Sequence, residues 1–103
     1  MNRLSTCDLI SQLNSGALTA RQLTETHLDR IATLNDKLNA FVSVDSDGAL
    51  QQAADIDRRR LAGEPVGRLA GLPVGIKDNI CQEDLPTTCG SRMLQDFRPP
   101  YDA

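Results

Sequence analysis

The fold is decided by the stretch Leu69-Ala70-Gly71-Leu72-Pro73-Val74-Gly75-Ile76-Lys77-Asp78-Asn79-Ile80. Leu72, Val74 and Ile76 alternate with a different set of residues, which is the period-2 pattern of a strand with one apolar face. We therefore predict a short central strand that packs into a core. Lys77 follows this strand at its carboxyl end, where ligands bind in open α/β sheets.

Lys77 is the candidate functional residue of this stretch. A lysine that is partly desolvated beside the gap left by Gly75 gives up its proton more easily, which would make it a base or a nucleophile. On residue type alone, the alternative is a solvated charge at a sheet edge. A phosphate-binding loop is rejected, because Ile76 separates glycine from lysine and Asp78 would repel phosphate.

Two further segments strengthen the functional interpretation, Thr87-Thr-Cys-Gly-Ser91 and Pro99-Pro-Tyr-Asp-Ala103. With residues 71–79, they resemble the amino-terminal part of the amidase signature family. Within that family the chain is most similar to the glutamine amidase subunits of tRNA-dependent amidotransferases. The resemblance implies an α/β fold, of which this chain would hold the amino-terminal portion of a mixed-sheet domain, with about three helices and two to three strands.

The resemblance also implies a chemical role for Lys77. This lysine maps onto the base of a Ser–cis-Ser–Lys catalytic triad, and both serines are expected beyond residue 103. The complete enzyme would hydrolyse glutamine and pass the ammonia to a partner subunit, which activates glutamyl-tRNA(Gln) with ATP and Mg²⁺. The implied partners are amidotransferase subunits B and C, with tRNA bound mainly through the partner subunit. The resemblance implies no cofactor or metal within this chain, and we expect the chain alone to be inactive.

Three interpretations stay open at this stage. The chain is the amino-terminal part of such a glutamine amidase, or a free-standing module that binds amidotransferase subunits, or the front end of an amidase with another amide substrate. The nucleotide sequence downstream of Ala103 would separate the first two. An in-frame Gly/Ser-rich continuation supports the first interpretation, and a stop codon supports the second.

The composition limits the partners and the location. At 103 residues the chain has room for one domain, with a helical part over about 1–63 and the strand and lysine segment over about 69–103. Aromatic residues make up only 3% and the net charge is −3, which argues against direct binding of nucleic acid. Three cysteines and one histidine lack metal spacing and favour a reducing, cytoplasmic environment. No apolar run approaches membrane-spanning length.

Helix starts are marked by two capping boxes. Ser5 is followed three residues later by Asp8, and Thr19 by Gln22, each with leucines placed to form a hydrophobic staple. The predicted helices cover about residues 6–15, 20–35 or slightly beyond, and 49–62, with a short helix over 92–95 capped by Ser91. Residues 40–44 are predicted to form a strand, closed by a turn at 45–48. The predicted inner stripe of the third helix is Leu50, Ala53, Ala54, Asp57 and Leu61.

Several polar residues are given structural roles rather than catalytic ones. His27 lies on the apolar face of the second helix and is predicted to be a packed histidine. Ser91 lacks a nucleophile elbow, so residues 87–91 are predicted to line the site near Lys77. Cys89 is predicted to be a small buried packing residue. The arginines at 58–60 are predicted to be a solvated helix end.

Overall fold

A computed structural model describes residues 3–103 and divides the chain into two compact units. The first unit ends at Pro73 and the second spans Val74–Ala103. The first unit contains three helices, α1 (Thr6–Ser15), α2 (Ala20–Leu38) and α3 (Ser46–Leu61). The second contains a 3₁₀ turn at Arg92–Leu94. None of the helices in the described part of the chain is both long and apolar enough to span a membrane.

The two predicted capping boxes are confirmed. The Ser5 hydroxyl accepts the Asp8 N–H at 3.2 Å, and the Asp8 carboxylate accepts the Ser5 N–H at 3.1 Å. Thr19 and Gln22 make the same reciprocal pair, with both hydrogen bonds at 3.1 Å. These contacts satisfy amides that a helix start leaves free, so α1 and α2 begin where the sequence predicts. Gly16 then ends α1 in the left-handed region, with φ of 78°.

The predicted strand at 40–44 is wrong. The helix α2 continues to Leu38 and ends at Asn39 in the left-handed region. Beyond it, the side-chain amide of Asn35 accepts the Phe41 N–H at 2.9 Å and donates to the Phe41 carbonyl at 3.0 Å. One side chain thus makes the hydrogen bonds that a neighbouring strand would make, and the β-rich composition is used without a sheet.

The start of α3 corrects a second prediction. Asp45 caps the helix by accepting the Gly48 N–H at 3.2 Å, so the predicted turn at 45–48 forms the first turn of the helix. The helix ends at Leu61, and Gly63, with φ of 73°, is the stop that the sequence indicated. Leu61 does not belong to the inner stripe, because it is 90% exposed. Ile56 packs against the core instead.

The core of the first unit lies where the three helices meet the segment that precedes Pro73. Its members are Leu9, Leu13, Leu18, Ala20, Leu23 and Ala53, with Ile56 and Leu72 packed against them. Gly71 is required here because its φ is 93° and a Cβ would lie 3.0 Å from that of Ala20. The start of the stretch at 69–80 is therefore anchored on the helical core.

Two long-range contacts hold α3 to its surroundings. Asp57 on α3 accepts the Ala20 N–H at 2.8 Å and the Arg21 N–H at 3.0 Å, so it is a second cap on α2. Arg60 donates to the Asn14 side chain at 2.7 Å and to the Ala70 carbonyl at 2.8 Å. The prediction of a solvated arginine cluster is therefore wrong for Arg60, which joins α1, α3 and the connector.

The predicted central strand is wrong as well, because residues 3–103 contain no β-strand. The α/β fold class is therefore not borne out within these residues, which contain helices and irregular segments. Val74 is 70% exposed and Ile76 is 44% exposed, and the unit boundary falls between Pro73 and Val74. The physical reason is that a strand needs a paired neighbour for its backbone, and no part of the described chain supplies one.

Candidate functional site

Lys77 lies at a backbone turn near the start of the second unit. Its carbonyl accepts the Ile80 N–H at 2.9 Å, which closes the turn. The side chain is exposed, so the desolvation expected beside Gly75 is not provided by the residues described. The backbone of the lysine is thus fixed locally, whereas its side chain is open to solvent.

The carboxylate of Asp78, next to Lys77, binds three donors. Its Oδ1 atom accepts the Thr88 N–H at 2.9 Å, and its Oδ2 atom accepts the Thr88 hydroxyl and, at 3.4 Å, the Gly90 N–H. The Thr88 hydroxyl is the main cause of a lowered pKa at Asp78, followed by the Thr88 N–H, while partial burial acts in the opposite direction. Asp78 is therefore ionised at neutral pH and is bound to the segment at 87–91.

The main chain adds a fourth link between the same two segments. The Asp78 carbonyl accepts the Cys89 N–H at 3.0 Å. Cys89 and Gly90 both have positive φ, 51° and 68°, and the Ser91 N–H closes the turn on the Thr88 carbonyl at 2.8 Å. The Cys89 side chain is left at the surface by this turn, so the prediction of a buried packing cysteine is wrong.

The segment at 87–91 lies against the turn that carries Lys77, as predicted. Thr87 and Thr88 are buried, with Thr88 only 8% exposed. The Ser91 hydroxyl accepts the Met93 N–H at 3.2 Å and caps the 3₁₀ turn, which confirms its structural assignment. The Thr87 hydroxyl is buried without a hydrogen-bond partner in the described chain.

The segment ending at Ala103 runs antiparallel to residues 81–87. The Asp84 N–H donates to the Pro99 carbonyl at 2.9 Å, and the Thr87 N–H donates to the Phe97 carbonyl at 3.1 Å. The Ala103 N–H reaches the Cys81 carbonyl at 2.9 Å. All three segments that carry the family resemblance thus contribute to the second unit, and two of them are joined to the lysine turn by hydrogen bonds.

Sequence analysis identified Lys77 and missed its neighbours. Asp78 was considered only as a charge that repels phosphate, and Thr88 only as part of a lining segment. The available signal was the pairing of a carboxylate with a threonine ten residues later, a spacing that no local rule marks. His27, by contrast, makes a local contact between its Nδ1 atom and the Leu23 carbonyl at 2.9 Å, as a packed histidine should. Within residues 3–103, no three metal-binding side chains gather into a possible metal site.

Comparison with known proteins identifies the family. The sequence profile of the family described as amidase matches residues 22–103, a range that includes Lys77, Asp78 and Thr88. The chain belongs to the amidase signature family. One subunit of the glutamyl-tRNA(Gln) amidotransferase from Salinispora tropica, the one designated A, is 46% identical over 103 residues, which is 100% of this chain and 21% of that protein. This amidase chain therefore spans about a fifth of the length of that curated relative.

Two solved structures share the fold of this part of the amidase family. One belongs to a vestigial protein complex that reveals the evolutionary origins of an s-triazine catabolic enzyme, with 33% identity and a TM-score of 0.90 over 97% of this chain and 22% of that one. The other is a bacterial aryl acylamidase of the amidase signature family, with 35% identity and a TM-score of 0.87 over 92% of this chain and 20% of that one. The amidase fold is thus supported by structure as well as by sequence.

Proposed function

We propose that this chain forms the amino-terminal part of the glutamine amidase subunit of a tRNA-dependent amidotransferase, with Lys77 as its catalytic base. The observation that carries the proposal is the 46% identity to a glutamyl-tRNA(Gln) amidotransferase subunit over every residue of the chain. The complete enzyme would convert glutamyl-tRNA(Gln) to glutaminyl-tRNA(Gln), using ammonia from glutamine. The family match includes the lysine segment, so the proposed base lies in matched sequence.

The role of Lys77 follows from the chemistry of serine nucleophiles. A serine hydroxyl is a weak nucleophile until a base takes its proton. In the proposed relay, neutral Lys77 receives that proton through a middle serine, and both serines are contributed by sequence beyond residue 103. The exposed lysine side chain and its fixed backbone are compatible with this role. This chain alone carries one of the three groups.

The proposed partners are amidotransferase subunits B and C. Several large apolar side chains are exposed in the second unit, including Val74 and Met93, which is 94% exposed. Exposed apolar surface of this kind is typical of a segment that is covered in a larger assembly. In the proposed complex, the partner subunit uses ATP and Mg²⁺ and binds most of the tRNA. The described residues hold no cluster suited to a metal, and we assign no ATP or Mg²⁺ site to them.

A second candidate is an amidase with another amide substrate. The structural similarity to an aryl acylamidase, at 35% identity, favours it, since that enzyme shares the same amino-terminal architecture. Because the chain spans about a fifth of that enzyme, it does not define the amide pocket. The two candidates differ in substrate and in their need for partners.

The test uses a complete glutamine amidase subunit that carries this sequence over its first 103 residues, produced with and without its proposed partners. We expect glutamine-dependent formation of glutaminyl-tRNA(Gln) by the assembled complex and no hydrolysis of an aryl acylamide. Lys77→Ala should abolish the glutamine-dependent reaction. Efficient aryl acylamide hydrolysis by the protein without partners, and no tRNA product, would establish the second candidate instead.

A further inference from the structure

We propose that Asp78 is a positioning residue for Lys77. It would hold the lysine turn by clamping residues 88–90; this role rests on the proposed function of Lys77 as a base. We define the Asp78 clamp as the four hydrogen bonds that Asp78 accepts from Thr88, Cys89 and Gly90. Two come from Thr88, through its N–H and its hydroxyl, and one each from the Cys89 and Gly90 amides.

The clamp acts on the backbone directly after Lys77. The Lys77 carbonyl is held in the turn by the Ile80 N–H at 2.9 Å, and the next residue is held by its carbonyl and by both carboxylate oxygens. Thr88 is 8% exposed, so the partner side of the clamp is a buried and ordered anchor. The main chain at Lys77 is therefore tied to a fixed point ten residues further along the chain.

A base needs such a tie when its own side chain is not packed. Lys77 is exposed, and packing within the described chain does not restrict its direction. A displacement of a catalytic group by about 1 Å costs on the order of 10²-fold in rate. The remaining source of precision in this chain is the backbone, and the Asp78 clamp is what fixes it.

A charge effect is the alternative role for Asp78, and substitutions separate the two. Thr88→Val removes the hydroxyl while it keeps both the volume and the charge of Asp78. Thr88→Ser restores the hydroxyl. Asp78→Asn removes the charge and places an amide group where the clamp requires an acceptor. Positioning predicts that Thr88→Val and Asp78→Asn act alike, whereas a charge effect predicts that Asp78→Asn alone is harmful.

The experiment measures glutamine-driven kinetics and hydrogen–deuterium exchange in the complete amidotransferase. We expect kcat to fall about 10-fold in Thr88→Val and on the order of 10²-fold in Asp78→Asn, with the KM for glutamine unchanged. Thr88→Ser should restore most of kcat, and the pH dependence of kcat/KM in Thr88→Val should match wild type. Exchange of the backbone at 86–91 should rise in both damaging variants. Asp96→Asn is the control, because Asp96 is exposed in the same unit and has no hydrogen bond or ion pair among the described residues.

The outcomes are distinguishable. Wild-type kcat in Thr88→Val, with a shifted pH profile in Asp78→Asn, would assign Asp78 a charge effect and overturn the positioning role. Faster exchange at 86–91 without any loss of kcat would also overturn it. If Lys77→Ala kept the wild-type glutamine rate, the proposed function itself would fail, and the positioning role with it. The exchange data would still report separately whether the clamp exists.

Discussion

Removal of the Asp57 carboxylate should destabilise the helical unit far more than other changes on the surface of α3. Asp57 accepts the N–H groups of Ala20 and Arg21, at 2.8 and 3.0 Å. Ala20 is fully buried, so water cannot replace the carboxylate at its amide. Loss of a helix cap costs about 1 kcal/mol, and a buried donor without a partner costs about 1–3 kcal/mol. We therefore expect Asp57→Ala to lower the free energy of unfolding by about 2–4 kcal/mol.

The assay is urea unfolding of this chain, followed by helical circular dichroism. Asp55→Ala is the matched control, since Asp55 lies on the same helix but pairs only with Arg58 on an exposed face. The control should change the free energy of unfolding by less than about 0.5 kcal/mol. A variant that is already unfolded without urea is the upper limit of the expected effect. Equal midpoints for Asp57→Ala and Asp55→Ala would refute the assignment of Asp57 as a cap on α2.

Three further results are expected. Gly71→Ala should destabilise the chain by about 1–3 kcal/mol in the same urea assay, because its φ is 93° and the new methyl group would lie 3.0 Å from Ala20 Cβ; unchanged stability would contradict the packing described. The isolated chain should release no ammonia from glutamine above the buffer rate, since oxyanion donors that contribute about 2.7–4 kcal/mol each are expected outside it; release that is abolished by Lys77→Ala would be contrary to this. The pKa values of Asp8 and Asp78 are lowered by hydrogen bonds from Ser5 and Thr88, so the stability they contribute is present above the unfolded value near 3.8 and is lost as pH falls through the folded values; the thermal midpoint should therefore be flat from neutral pH to about 5 and fall below about 4, and a loss between pH 7 and 5 would count against this assignment.

Local signals explain why the helices could be predicted from the sequence. The capping boxes at Ser5 and Thr19 involve residues three apart, and Gly16 and Gly63 stop their helices through a local backbone conformation. Such interactions are completed within one turn of helix, so they require no knowledge of the rest of the fold.

The contacts that failed to appear in the sequence are those between distant residues. Asp57 binds amides 36 and 37 positions away, and Arg60 binds Asn14 from 46 positions away. The alternation at 72–76 describes the two faces of a segment but not its partner, and without a partner in residues 3–103 no strand forms. Lys77 was identified through the family resemblance rather than through its local pattern.

The central claim is that Lys77 is the base that activates the serine relay. Lys77→Arg keeps a positive charge and much of the side-chain length, but an arginine cannot give up its proton at any working pH. Loss of a general base costs about 10²–10⁴-fold in rate, so Lys77→Arg should be nearly as damaging as Lys77→Ala when glutamine is the donor. Ammonia supplied in solution bypasses the amidase site, and both variants should then keep the wild-type rate.

The decisive measurement is the pair of rates, glutamine-driven and ammonia-driven, for wild type, Lys77→Arg and Lys77→Ala in the complete amidotransferase. We predict that both substitutions abolish the first rate and leave the second unchanged. If Lys77→Arg kept most of the glutamine-driven rate, Lys77 would act through its charge or its packing, and its assignment as the base would be wrong.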